Sequence, residues 1–469
     1  MKKLSLLLLS GIILLFNQLN AAVGDTIVVT AHQNYVINWY GDYDQWAVFP
    51  AAGNNYSKII MRYNFSQPQP NTEWDYTTTV FAKIRTGELD STLTQYPAFT
   101  VNGNIVDTVY FNTHPVYIYY FNSGTQSTDS AFASTQQIFL YQNTATPTVP
   151  TDTLTVYPGN YYNYLFNGSG NVVDSVYVPS DSVWSVQYLN VYNVFEVIDP
   201  MELGRVMTPY GSTLGTTFNF DYWFDVTDYA PILHDSLEMR INYSGYSNGY
   251  AFSVTFYMIE GTPARTPLRV RNIYPHGYYE YGIVTNPIES HLVPVNMDLT
   301  SSEENAMVRV VPSGHSFGGA LNCAEFCNKS FKLLVDGVQQ FSKSIWRSDC
   351  GLNPILHQGG TWIYDRSNWC PGAKTLYKDQ ELTPFITAGD SVNLDINLDA
   401  YTYNGGAGFN PGYILSAQLF TYGQPNFTND ATVDEILKPN ADLNYSRFNP
   451  ICNNPIVVIK NTGSAPLTS

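Results

Sequence analysis

The sequence predicts an all-β protein made of sandwich-type domains, and three observations carry that expectation. Amphipathic stretches of period 3.6 are missing from almost the whole chain. Short runs rich in Val, Ile, Thr, Tyr and Phe recur, at 26–30, 153–157, 253–259, 306–311 and 391–398 among others, and Gly, Asn, Pro and Asp punctuate them. Strands at short intervals with turn signals between them favour sandwiches or jelly rolls over a parallel sheet clothed in helices. A helical turn or two near 435–438 is the one expected exception.

The elements follow in chain order. Met1-Lys2-Lys3, an apolar run at 4–16 and the small residues Ala21 and Ala22 read as a secretory leader at 1–22. An apolar run of about thirteen residues is too short for a bilayer, so no membrane span is expected. A first β domain occupies 23–263, ending where Gly261-Thr262-Pro263 breaks the strand pattern. Inside it, about 86–200 changes texture to Thr, Ser, Tyr, Asn and Val with few charges. A structureless loop of that length is rare, so an inserted β-rich module is expected. A second β domain covers 264–424, a polar linker 425–450, and 451–469 reads as the start of a further β domain continued in a longer product.

Composition narrows the function. The 469 residues hold 22 Lys and Arg against 39 Asp and Glu, a net charge of −17, which argues against a nucleic-acid partner. The 37 tyrosines suit strand surfaces and also surfaces that receive sugars or peptides. Export favours bridges over zinc for Cys323, Cys327, Cys350 and Cys370, leaving Cys452 odd. The seven histidines show no metal-ligand spacing, and no Gly-x-Ser-x-Gly elbow occurs.

Two carboxylates lie beside aromatic side chains in punctuated segments: Asp75, in Glu73-Trp74-Asp75-Tyr76, and Glu325, in Cys323-Ala324-Glu325-Phe326-Cys327. If those two cysteines join, Glu325 sits at the centre of a five-residue loop. A carboxylate fixed beside apolar rings loses hydration, which raises its pKa and suits it to acid or base work near neutrality. The alternative is a surface acid in a stapled turn. Trp362-Ile363-Tyr364-Asp365-Arg366-Ser367-Asn368-Trp369-Cys370-Pro371-Gly372 packs two Trp, an Asp–Arg pair and a cysteine into one segment. It is either a glycan or peptide site or a Trp-rich plug beneath a disulfide. His315, followed by glycines, alone reads as a satisfied loop residue.

Together these pieces resemble the peptide-N-glycosidase F family. Gly314-His315, Cys323-Ala324-Glu325-Phe326-Cys327, Cys350, Asn353-Pro354 and the string from Asp365 to Gly372 match its C-terminal domain in order. Glu73-Trp74-Asp75, Gly204-Arg205-Val206-Met207-Thr208-Pro209-Tyr210, Asp225-Val226-Thr227-Asp228 and Gly261-Thr262-Pro263 follow its N-terminal domain. The resemblance implies two adjacent eight-stranded antiparallel jelly rolls, with the site in the cleft between them. It implies hydrolysis of the amide bond between asparagine and the first N-acetylglucosamine of N-linked glycans, in glycoproteins or glycopeptides, without a cofactor or metal.

By the same resemblance Asp75 and Glu325 are the catalytic acids. Trp74, Tyr243, His315, Trp362, Arg366 and Trp369 serve the substrate, and the bridges join Cys323 to Cys327 and Cys350 to Cys370. The chain departs from the family in four ways, the first being that the disulfide preceding the catalytic aspartate is absent. Tyr243 stands where the family has a third glutamate, Tyr76 where it has an arginine, and a long module replaces a short connection. That module could wall the cleft or supply an acid. A noncatalytic glycan or glycopeptide binder on the same fold is the alternative; a copper monooxygenase, which needs His and Met ligand clusters, fits poorly.

Overall fold

The structure, a computed structural model, describes residues 24–68, 72–247, 249–318, 321–353, 355, 358–405, 409–438 and 455–467. The expected leader and Cys452 lie outside them. The chain divides into two compact units, Arg85–Val197 and the remainder.

In the larger unit the first domain is a sandwich of two four-stranded sheets. One has the order Thr26–Ile37, Tyr250–Glu260, Tyr56–Ser66, Asn219–Asp225; the other has residues 198–207 of the strand Tyr188–Met207, residues 77–84 of the strand Thr77–Pro97, Ser236–Tyr243, Gly41–Val48. Ser236–Tyr243 shows the cause, since every second side chain is buried along it. Tyr63, Phe65 and Phe252 meet at ring-centroid distances of 4.7 to 5.7 Å in the core. Each such burial contributes about 1.5–3 kcal/mol.

The second domain repeats the plan with eight more strands. Arg265–Glu280, Gly412–Pro425, Asn305–His315 and Lys378–Glu381 form one sheet; Val295–Asp298, Ser391–Leu398, Ser330–Val335 and Val338–Ser344 form the other. Asn305–His315 is buried along nearly its whole length because both its faces are covered. Ala306, Val308 and Val310 enter the second domain's core, whereas Met307 enters the first. Gly412–Pro425 likewise sends Leu415, Ala417 and Leu419 one way and Phe420 and Tyr422 the other. The sandwiches therefore share a packed seam. The buried Arg309 crosses it, stacking over Tyr377 and Phe420 and pairing with Asp379 at 2.8 Å.

The unit Arg85–Val197 has its own sheet, in the order Ser182–Ser185, Thr108–Asn112, Asp152–Pro158, Gln136–Leu140, Phe99–Val101. Two hairpins, Tyr117–Asn122 with Ser127–Phe132 and Tyr161–Phe166 with Val172–Val178, accompany it. Phe99, Phe111, Ile138 and Val156 form its core, against Trp184.

The C-terminal stretch corrects two expectations. Ala431–Lys438 is a strand, not the helical turn expected at 435–438, and it occupies part of the stretch expected as linker at 425–450. It pairs antiparallel with Ile456–Asn461, which lies in the segment expected to open a further domain. The Val- and Ile-rich partner supplies a ladder that overrides the weak helical preference of Asp434-Glu435-Ile436-Leu437-Lys438.

Candidate active site

The segment 205–211 links both sandwiches to the site. On one side it holds the chain around Asp75: Thr208 N–H donates to the Tyr76 carbonyl, Tyr76 N–H to Thr208 Oγ1, and Gly211 N–H to the Glu73 carbonyl. On the other side it holds the second domain's loop. Gly372 N–H donates to the Met207 carbonyl, Thr375 N–H to the Arg205 carbonyl and Tyr210 N–H to Gln358 Oε1. With its backbone donors and acceptors committed, this segment fixes two loops far apart in sequence.

The loop of Glu325 is fixed a second way. Cys323 and Cys327 are bridged, as are Cys350 and Cys370. Ala324 and Glu325 N–H both donate to the Ser316 carbonyl. Ser367 N–H donates to the Glu325 carbonyl, and Ser367 Oγ to the carbonyls of Ala324 and Cys327. Because Ser367 adjoins Arg366, one short segment places both Glu325 and its cation. The two bridges fit an oxidising, extracellular compartment.

Arg366 is fully buried, and its guanidinium faces both acids: Nε lies 3.4 Å from Glu325 Oε1 and Nη1 3.7 Å from Asp75 Oδ2. These are ion-pair contacts longer than hydrogen bonds. Nη2 donates to Thr361 at its carbonyl and its hydroxyl, and the plane stacks 4.4 Å over Trp369 and 5.1 Å from Phe326. Tyr210 Oη donates to Asp75 Oδ2 at 2.8 Å.

Burial dominates the electrostatics. It pushes Glu325 up to about 7 against the opposing pull of Arg366, with the Asp75 charge adding to the rise. Burial also raises Asp75, against the Tyr210 hydrogen bond and Arg366. Two acids beside one guanidinium titrate as a pair, and an acid raised to about 7 suits acid–base work near neutrality.

The remaining expected residues separate by exposure. Trp74 is 60% exposed beside Tyr210, and Trp362 is half-buried. Trp369, 3% exposed, stacks with His315 at 5.1 Å behind Arg366 and donates from its indole to the Gly314 carbonyl. His315 Nε2 meets Ser313 Oγ at 2.8 Å, and Ser313 Oγ accepts from the buried Arg205. Burial, then Arg205 and Arg366, lowers His315 to about 3, so its imidazole is neutral.

Tyr243 is 1% exposed. Packing covers the rings of both Tyr243 and Trp369, two of the residues expected to serve the substrate. A carboxylate does stand beside Tyr243: that of Glu73, itself buried, which accepts the Gly249 N–H at 2.6 Å.

Glu73 and Tyr210 are the residues sequence reasoning passed over as site residues. Both stand inside the strings that carry the resemblance, so their place in the sequence was the available signal. Among the described residues, no group of three or more His, Cys, Asp or Glu side chains could hold a metal ion.

Known proteins resemble this chain in sequence and fold. Residues 285–409 fit the family model for the C-terminal domain of peptide-N-glycosidase F. A 235-residue stretch is 27% identical to peptide-N(4)-(N-acetyl-beta-D-glucosaminyl)asparagine amidase F of Elizabethkingia miricola, covering 47% of this chain and 64% of that protein, just under two thirds of its length. Over these stretches the chain is similar to the peptide-N-glycosidase F family.

The fold agrees. A crystal structure of a peptide-N(4)-(N-acetyl-beta-D-glucosaminyl)asparagine amidase superposes with a TM-score of 0.53 at 17% identity, covering 85% of this chain and 96% of that one. Peptide-N-glycosidase F from Flavobacterium meningosepticum, described as a glycosylasparaginase, gives the same TM-score at 18% identity and the same coverages. The relatives matched here are named as amidases of N-acetyl-beta-D-glucosaminyl asparagine. No helix among the described residues is long and apolar enough to cross a membrane.

Proposed function

We propose that the protein is an exported glycoamidase that cleaves the amide bond joining asparagine to the first N-acetylglucosamine of N-linked glycans. The observation that carries this is the buried Arg366 facing both Asp75 and Glu325, with Glu325 raised to about 7.

In this mechanism Glu325, when ionised, takes a proton from a water molecule, whose oxygen bonds to the side-chain amide carbon. The C–N bond then breaks, and the proton passes to the departing nitrogen. Aspartate remains in the peptide, and the glycosylamine decays in water to free sugar and ammonia. Asp75 holds the first sugar and the scissile nitrogen, oriented by Tyr210 Oη. Arg366 tempers both negative charges and, backed by Trp369, is held ready before substrate arrives. Trp74 offers an exposed ring for a sugar face.

Tyr243 in place of a family glutamate favours a second reading, a glycan or glycopeptide binder without turnover. Incubation with a denatured glycoprotein and a short glycopeptide separates the two. Free glycan with an Asn-to-Asp mass change, lost in Asp75→Asn and in Glu325→Gln, supports hydrolysis. Binding that survives in Asp75→Asn with no release by wild type from any glycan class supports the binder.

A further inference from the structure

A cavity of 400 Å³ opens beside the Glu325 loop, lined by Tyr278, Glu280, Ser316, Phe409 and Asn410. It falls within the usual size range of ligand sites. None of its lining residues belongs to the acid–arginine constellation, yet it is tied to that constellation through one residue. Ser316 forms part of its wall, and the Ser316 carbonyl accepts the Glu325 N–H at 3.1 Å.

The walls are held in place. Tyr278 Oη donates to the Asn410 carbonyl at 2.6 Å, and Asn410 Nδ2 donates to Glu280 Oε1 at 2.8 Å. Asn286 Nδ2 donates to Glu280 Oε2 at 2.9 Å, and Asn286 Oδ1 meets His291 Nε2 at 2.6 Å. A side chain at Gly412 would come within 2.5 Å of the Tyr278 ring, so the glycine is what lets that ring lie flat against the backbone. The two amide donors lower the Glu280 carboxyl, which is therefore ionised at neutral pH. Phe409 contributes a ring that is 86% exposed.

We infer that this cavity is a peptide subsite, which receives the residues flanking the glycosylated asparagine and favours those bearing hydroxyl or ammonium donors. The inference rests on the proposed hydrolysis, in which Glu325 works at the amide carbonyl of that asparagine. What adjoins Glu325 then faces the peptide, whereas the sugar lies toward Asp75. A fixed anion in the lining accepts hydrogen bonds from Ser, Thr or Lys side chains and repels Asp and Glu, while the aromatic rings of the same lining can pack aliphatic stems.

Two glycopeptides carrying one glycan, with Lys or Glu on both sides of the asparagine, provide the test. Wild type is expected to show about three- to fivefold higher kcat/KM for the Lys peptide, as a partly exposed charge contact gives. Glu280→Gln is expected to bring that ratio within about twofold, as is 0.5 M salt, which screens the charge. A wild-type ratio near one overturns the inference, and so does a ratio that Glu280→Gln leaves unchanged. It is equally overturned if Glu280→Gln alters preference among glycans on one peptide, which marks a sugar subsite. If neither glycopeptide is hydrolysed, the proposed reaction fails, and dissociation constants of the same pair, measured by calorimetry on wild type and Glu280→Gln, decide the inference separately.

Discussion

Arg366 Nε lies 3.4 Å from Glu325 Oε1, in a side chain with no exposed surface. The same guanidinium faces Asp75, so a single buried cation opposes the rise that burial imposes on both acids. Arg366→Lys keeps the charge but loses the planar stack on Trp369 and the fork that reaches Thr361. A fall in kcat of about 10–100-fold is expected, on the scale of losing one electrostatic contact in a transition state. Steady-state kinetics at saturating glycopeptide checks this; wild-type kcat in the lysine variant would exclude the role.

Activity is expected to rise with pH through about 7. Glu325 is protonated below that value and, as the base, must be ionised. The limb should be missing from the residual activity of Glu325→Gln. A profile of kcat/KM from pH 5 to 9 measures it, and a rate that falls as pH rises through 7 would instead make Glu325 the acid.

The raised carboxyl also predicts a stability change, whose sign follows from linkage. Below its ordinary 4.5 the group is protonated folded and unfolded, and costs nothing. Between 4.5 and about 7 the unfolded chain releases the proton while the folded chain keeps it, so stability falls as pH rises. Relative to Glu325→Gln, wild type should lose on the order of 2–3 kcal/mol between pH 4 and pH 8. Denaturant melts of both proteins at the two pH values read that difference directly.

Glu73 joins the loop before Gly249 to the segment of Asp75. Glu73→Gln removes a charged acceptor from a buried site and should cost about 1–3 kcal/mol. Because that loop also carries Tyr246, whose exposed ring packs 5.1 Å from Tyr76, KM should rise more than kcat falls. Denaturation together with a KM-against-kcat comparison distinguishes this from a general loss of fold.

Trp74 is expected to act on binding alone. Trp74→Ala removes an exposed ring and should weaken glycopeptide binding by about 1 kcal/mol, or roughly fivefold, without changing the melting temperature. Isothermal calorimetry on the Asp75→Asn background isolates that effect from turnover.

Local pattern determined much of this protein. Alternation in runs such as Ser236–Tyr243 and Ser391–Leu398 comes from the strand itself, so all-β architecture was legible without neighbours. The four cysteines and the strings around Asp75, Glu325 and Arg366 were legible for the same reason, as short motifs of fixed spacing. What the sequence could not order was depth. Tyr243 and Trp369 carry the same surface-compatible chemistry as Trp74, yet two are covered by packing and one is not.

Three further features came only from tertiary structure. Residues 205–211 gather two loops through backbone hydrogen bonds. Glu73 meets Tyr243 from a distant stretch of chain, and the strand Ala431–Lys438 forms because Ile456–Asn461 lies beside it. Each depends on long-range neighbours that remove water or supply a hydrogen-bond partner, and neither effect is written in the spacing of nearby residues. The raised carboxyl of Glu325 has the same origin: its loop fixes where it stands, and tertiary packing takes it out of water.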